Sequence, residues 1–157
     1  MKEKFIKAYM KVAETFADLS YARRLHVGAI VVKDDRIISI GYNGMPSGWD
    51  NDCEYEEVYS RQVAPGDDYE IVHTGNLKTR PEVLHAESNA ISKLARSSES
   101  GLGADLFVTH SPCLDCAKLI YQSGIKRVYF GTAYRSSEGV EFLKKSGVEV
   151  IQVEKGE

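Results

Sequence analysis

The chain has 157 residues, is 43% hydrophobic and carries a formal net charge of −3, the profile of an ordinary globular domain long enough to bury a substantial core. Lys and Arg are scattered among acids, which argues against a surface built for long polyanions: nucleic-acid binders draw most of their affinity from clustered cations. No run approaches the roughly 18 apolar residues of a membrane span, so neither a membrane nor a nucleic acid is expected as partner.

Met1-Lys2-Glu3-Lys4 leads into an amphipathic segment and not a signal peptide, and the cytoplasm is the expected compartment. Phe5, Ile6, Tyr9, Val12, Ala13, Phe16 and Ala17 recur at helical spacing and predict one opening helix. Val27–Val32 and Ile37–Tyr42 are β-rich runs around Lys33-Asp34-Asp35-Arg36, which reads as a hairpin. Ser47 to Leu84 is polar and holds Gly48, Pro65, Gly66 and Gly75. It far exceeds the usual connection of about five residues and is expected to be a long insertion. Its Trp49, Tyr55, Tyr59 and Tyr69 suggest that it folds down as a nucleotide lid or a subunit contact. From His85 the pattern becomes helical, through Ala86, Ala90, Ile91, Leu94 and Ala95. Short strands at Leu106–Thr109, Val128–Gly131 and Val148–Val153 alternate with helical stretches near 113 to 123 and 137 to 146, the grammar of parallel α/β packing. The whole of 1–157 is expected to form one catalytic domain with the insertion at about 47–84.

Two segments carry chemistry. His85-Ala86-Glu87 and Pro112-Cys113-Leu114-Asp115-Cys116 each open a predicted helix. Pro112 suits a first helical turn, and Cys113 and Cys116, three apart, share a face. Together they offer three zinc ligands, His85, Cys113 and Cys116, and a carboxylate, Glu87, that need not be a ligand. Three protein ligands leave a fourth tetrahedral position for water, which separates a catalytic zinc from a closed structural one. H-x-E with P-C-x-x-C is also the signature of the zinc nucleobase deaminases. In that chemistry Glu87 takes a proton from the attacking water, gives it to the ring nitrogen beside the amine-bearing carbon, and later protonates the leaving ammonia. A structural zinc would want a fourth Cys or His, and the spare Cys53 lies in the insertion.

With Val27-Gly28-Ala29-Ile30-Val31, Gly41-Tyr42-Asn43-Gly44-Met45-Pro46 and Gln122-Ser123-Gly124-Ile125-Lys126 added, the chain resembles the deoxycytidylate (dCMP) deaminase family, and its phage-type members most closely. The resemblance implies a three-layer α/β/α fold with a mixed five-stranded sheet. It implies hydrolysis of dCMP to dUMP and ammonia, which supplies dUMP for dTMP synthesis, activation by dCTP with Mg²⁺, inhibition by dTTP, and a homo-hexamer. If the source is a phage, the compartment is the host cytoplasm. It further implies that Arg24 reaches the phosphate, with Arg23 the rival, that Asn43 meets the deoxyribose, that Tyr134 lies near the pyrimidine ring, and that the backbone of Ala86 and Ser111 contacts the base edge. Some relatives hold a second, structural zinc; Ala22 stands where they have a cysteine, and with Cys53 and His73 as the remaining candidates no second zinc is expected. Deamination of dCTP, of a modified dCMP or of a base in a polynucleotide, and a non-catalytic nucleotide sensor, stay open as alternatives. Glu87 argues against the sensor, which has no use for a proton shuttle.

Overall fold

The computed structural model describes residues 1–154. The opening segment forms helix α1, Glu3–Ala17, whose buried stripe is Met10, Ala13 and Ala17. Strands β1 (Gly28–Lys33) and β2 (Arg36–Tyr42) follow as a hairpin. Its two central residues, Asp34 and Asp35, have φ of 51° and 57°, the left-handed pair whose twist matches that of the flanking strands.

The predicted insertion is where the structure departs from the sequence reading. It is a two-stranded antiparallel sheet, β3 (Glu54–Gln62) and β4 (Tyr69–Thr79), turning through Pro65-Gly66-Asp67-Asp68. Both strands are solvated, so they lack the apolar alternation that marks a half-buried strand. Tyr55, Val58, Tyr59, Tyr69, Ile71 and Val72 around a Pro-Gly turn were the available signal.

Helix α2 (Ala86–Leu94), strand β5 (Asp105–His110), helix α3 (Leu114–Gln122), strand β6 (Arg127–Thr132), helix α4 (Glu138–Lys145) and strand β7 (Glu149–Gln152) complete the chain. The main sheet has the order β2-β1-β5-β6-β7. β1 is antiparallel to β2 and β5, and β5, β6 and β7 are parallel, so the sheet is mixed. Side chains alternate between its faces. Ile30, Val32, Phe107 and Tyr129 point to one side, against Met10 and Ala13 of α1, with the Phe107 and Tyr129 rings stacked at 4.5 Å. Ala29, Val31, Leu106, Val108, Val128 and Phe130 point to the other and pack on α2, α3 and α4 through Ala90, Leu94, Ala117, Ile120 and Leu143. Helix, sheet and helices make three α/β/α layers. Each large side chain so buried contributes about 1.5–3 kcal/mol over leaving it exposed. Among the described residues no helix is long and apolar enough to cross a membrane.

Candidate active site

His85 and Cys113 are not inside helices but cap them. Both have extended backbones, φ −77° ψ 153° and φ −69° ψ 170°, and their carbonyls accept the first intrahelical bonds, from Asn89 and Ala117, each at 2.9 Å. Pro112 therefore precedes the cap of α3, where the first-turn position was expected: Cys113 takes the extended conformation, and helix begins only at Leu114. Two glycines seat these ends. A methyl group at Gly41 would overlap the carbonyl of Ala86 and stand 2.7 Å from the nitrogen of Ala90, so β2 can approach the first turn of α2 only without a side chain. A methyl at Gly139 would overlap the carbonyl oxygen of Pro112 and lie 2.8 Å from that of Cys113, so α4 presses directly on the Cys113 turn. The approach to His85 is fixed by reciprocal bonds between Gly44 and Leu84, at 3.1 and 2.8 Å.

The ligand atoms of His85, Cys113 and Cys116 all lie within 4.8 Å of one another, and they form the only such cluster of His, Cys, Asp or Glu among the described residues. His85 Nδ1 is 3.6 Å from Cys113 Sγ and 3.3 Å from Cys116 Sγ. One imidazole and two sulfurs converging on a point form a donor set that fits a single zinc with one position left open. Their protons are shared unevenly. Hydrogen bonds from Cys116 and His85 pull the Cys113 thiol down to about 3, while its bond to Cys113 and burial push Cys116 upward. The bond to Cys113 also raises His85 above its ordinary 6.5. These shifts favour protons on Cys116 and His85, so a bound cation competes with protons at the cluster.

Glu87, in the first turn of α2, is 4% exposed, and burial raises its carboxyl above the ordinary range. It opens with His85 and Cys113 onto a cavity of about 520 Å³, within the size range of small-molecule sites. Arg24, Asn43, Ala86, Ser111 and Tyr134 line the same cavity, while Cys116 belongs to the donor cluster without lining it. Asn43 is already engaged: its Oδ1 accepts the Val27 N–H and its Nδ2 donates to the Leu25 carbonyl, both at 2.8 Å, which leaves one amide hydrogen over. Ser111 is buried, and its hydroxyl accepts the Tyr134 N–H at 2.6 Å, tying the loop after β6 to the end of β5. Arg23, the rival of Arg24, is turned to Asp52 (Nη2 to Oδ1, 2.9 Å) and does not line the cavity.

Arg135, Glu54 and Thr79 are among the lining residues that had not been assigned to a substrate site from the sequence. Arg135 follows Tyr134 directly and could have been found from that adjacency; Glu54 and Thr79 had no local signal. Cys53 is 1% exposed and packs with Ala22 and Val83, burial raising its thiol, while His73 is exposed on β4 against Glu56 at 3.2 Å. His26 contacts the Ala22 carbonyl at 2.6 Å, and His110 lies 3.0 Å from the Thr109 hydroxyl.

The family described as "Cytidine and deoxycytidylate deaminase zinc-binding region" matches residues 3–132. The chain is 37% identical over 153 residues to the deoxycytidylate deaminase of Enterobacteria phage T4, covering 82% of this chain and 79% of that one. To the deoxycytidylate deaminase of Mycobacterium phage D29 it is 38% identical over 122 residues, 78% and 90% of the two chains. Among solved structures, the dCMP deaminase of cyanophage S-TIM5 in complex with dCMP and dUMP superposes with a TM-score of 0.83 at 44% identity, covering 98% of this chain and 99% of its own.

Proposed function

The chain belongs to the cytidine and deoxycytidylate deaminase family, as a hydrolase of the deaminase class, and we propose that its reaction is the zinc-dependent hydrolysis of dCMP to dUMP and ammonia. The observation that carries this reading is the convergence of His85, Cys113 and Cys116 beside a buried Glu87, at a cavity that Arg24 and Arg135 also line. When held by those three ligands, zinc supplies Lewis acidity that lets a water molecule lose a proton near neutral pH.

Glu87 does the proton work. Its carboxylate accepts one proton from the water and delivers it to the ring nitrogen next to C4 of cytosine, then takes the second from the hydroxyl now on C4 and passes it to the departing amine. The water oxygen becomes the C4 carbonyl oxygen, the C4–N bond breaks, and ammonia leaves. Burial suits Glu87 to this, because a carboxyl raised above its ordinary range holds an accepted proton better between the two transfers. The backbone of Ala86 and Ser111 meets the base edge and Tyr134 covers the ring. The remaining amide hydrogen of Asn43 faces the deoxyribose. Arg24, joined by Arg135, receives the phosphate, for which a planar guanidinium is the suited partner. On this reading the product dUMP feeds dTMP synthesis, the enzyme works as a homo-hexamer in the cytoplasm (the host's, for a phage protein), and dCTP with Mg²⁺ activates it while dTTP inhibits.

The test is ammonia release from dCMP, CMP, dCTP, deoxycytidine and single-stranded DNA, each with and without dCTP·Mg²⁺ or dTTP, on protein of measured zinc content. Turnover of dCMP, raised by dCTP and lowered by dTTP, is the expected result. No turnover of any monophosphate by zinc-loaded protein would overturn the reading.

A further inference from the structure

Arg24 belongs to a bend between α1 and β1 that no sheet or helix ladder holds. What holds it comes from the insertion. Glu54 and Thr79, the first residue of β3 and the last of β4, are cross-strand partners and close the hairpin. Glu54 is 1% exposed, and its Oε1 accepts the N–H groups of Arg23 at 2.8 Å and Arg24 at 3.1 Å. Thr79 Oγ1 accepts from Arg24 Nη1 at 3.1 Å. The backbone of Arg24 is thus fixed by one member of the pair and its guanidinium by the other. Arg23 braces the outside of the bracket, donating to the Glu54 carbonyl at 3.2 Å and lying 3.5 Å from Glu54 Oε2. That Oε2 is buried and makes no hydrogen bond, its charge being met by the Arg23 guanidinium.

We propose that Glu54 and Thr79 are positioning residues that aim Arg24 at the 5′-phosphate of the nucleotide, so that the hairpin sets the preference for phosphorylated over unphosphorylated substrate. The inference rests on the reading above, in which the cavity takes a deoxynucleoside monophosphate with Arg24 on its phosphate. Its physical basis is pre-organisation: an arginine already held in its binding geometry does not have to be ordered when the ligand arrives. Arg24 itself stays exposed, free to turn its remaining N–H groups to an anion.

Thr79→Val tests this on the zinc-loaded full chain, because Thr79 is exposed and the change is nearly isosteric. Loss of this one exposed hydrogen bond, which acts on the phosphate only through Arg24, is expected to raise KM for dCMP and Kd for dUMP by roughly fivefold. kcat for dCMP and Kd for deoxyuridine should not move, and Thr79→Ser should restore the wild-type values. Glu54→Ala should show the same split more strongly; should that variant fail to fold, Thr79→Val decides alone. Equal weakening of dUMP and deoxyuridine, a fall in kcat at constant KM, or unchanged dUMP affinity would overturn the proposal while wild-type turnover of dCMP stood. A wild-type enzyme that neither binds dUMP nor deaminates dCMP would overturn the nucleotide reading and this inference with it.

Discussion

The five-stranded sheet and the β3–β4 hairpin are made of similar strands held in opposite ways. In the sheet, β1 and β5 are buried along almost their full length and both faces are covered by helices. In the hairpin, Glu54 is the only buried residue, and Tyr59, Tyr69 and Ile71 are 54%, 60% and 67% exposed, where a lid folded onto the body would cover them. A lone two-stranded sheet is marginal in water, so this one depends on its base: the Arg80 N–H to the Cys53 carbonyl at 2.8 Å, Arg80 Nε to the Asp52 carbonyl at 3.0 Å, and Arg23 on Asp52. The comparison teaches a division of labour. The close-packed sheet and helices fix the reacting groups, whereas the hairpin touches the cavity only through the pair that closes it.

The sharpest way to break the sheet's side of the comparison is Glu87→Gln, which removes the proton carrier and leaves the donor cluster intact. Turnover is expected to fall by about 10²–10⁴-fold with zinc content and unfolding midpoint retained, read by ammonia release and metal analysis. Next comes pH. In the folded chain the proton is favoured on Cys116 and, to above the ordinary 6.5, on His85, and zinc must displace both. Zinc affinity should therefore rise with pH, by roughly tenfold per unit for each proton released, with about two released per chain at pH 6. Competition with a chelator across pH 5.5–8 (about the range in which histidine titrates) measures it, and a flat profile would contradict the proton distribution described here.

Gly139→Ala presses on the same cluster from behind. The added methyl meets the Pro112 and Cys113 carbonyls, so a destabilisation of about 1–3 kcal/mol and weaker zinc retention are expected, by denaturant midpoint and chelator competition together. The smallest effect belongs to the hairpin: Ile71→Ser, on an exposed strand position, should change stability by no more than about 0.5 kcal/mol in thermal unfolding of the isolated chain. A larger loss would mean that the hairpin's outer part is covered in solution, as a subunit contact would require.

Much of the catalytic half was legible beforehand because its information is local. Cys113 and Cys116 are three residues apart, a spacing that puts both on one side of a helix start, and His85 caps the turn that carries Glu87. The Asp34-Asp35 turn and the apolar stripe of α1 were readable for the same reason. The hairpin was not, since solvated strands carry no buried-face alternation. Nor was the Pro112 position, because one residue decides whether a proline precedes a cap or follows it.

The amino-acid sequence by itself determined the zinc-type donor set, the carboxylate beside it and the class of α/β packing. Tertiary structure decided the strand order β2-β1-β5-β6-β7, the choice of Arg24 over Arg23 for the cavity, and the entry of Glu54, Thr79 and Arg135 into it. The physical reason is separation along the chain. Arg24 and Glu54 stand 30 residues apart and Arg24 and Thr79 stand 55 apart, and no propensity or spacing rule links residues at such distances. Only the packing of the hairpin's base against the bend before β1 brings them within a hydrogen bond.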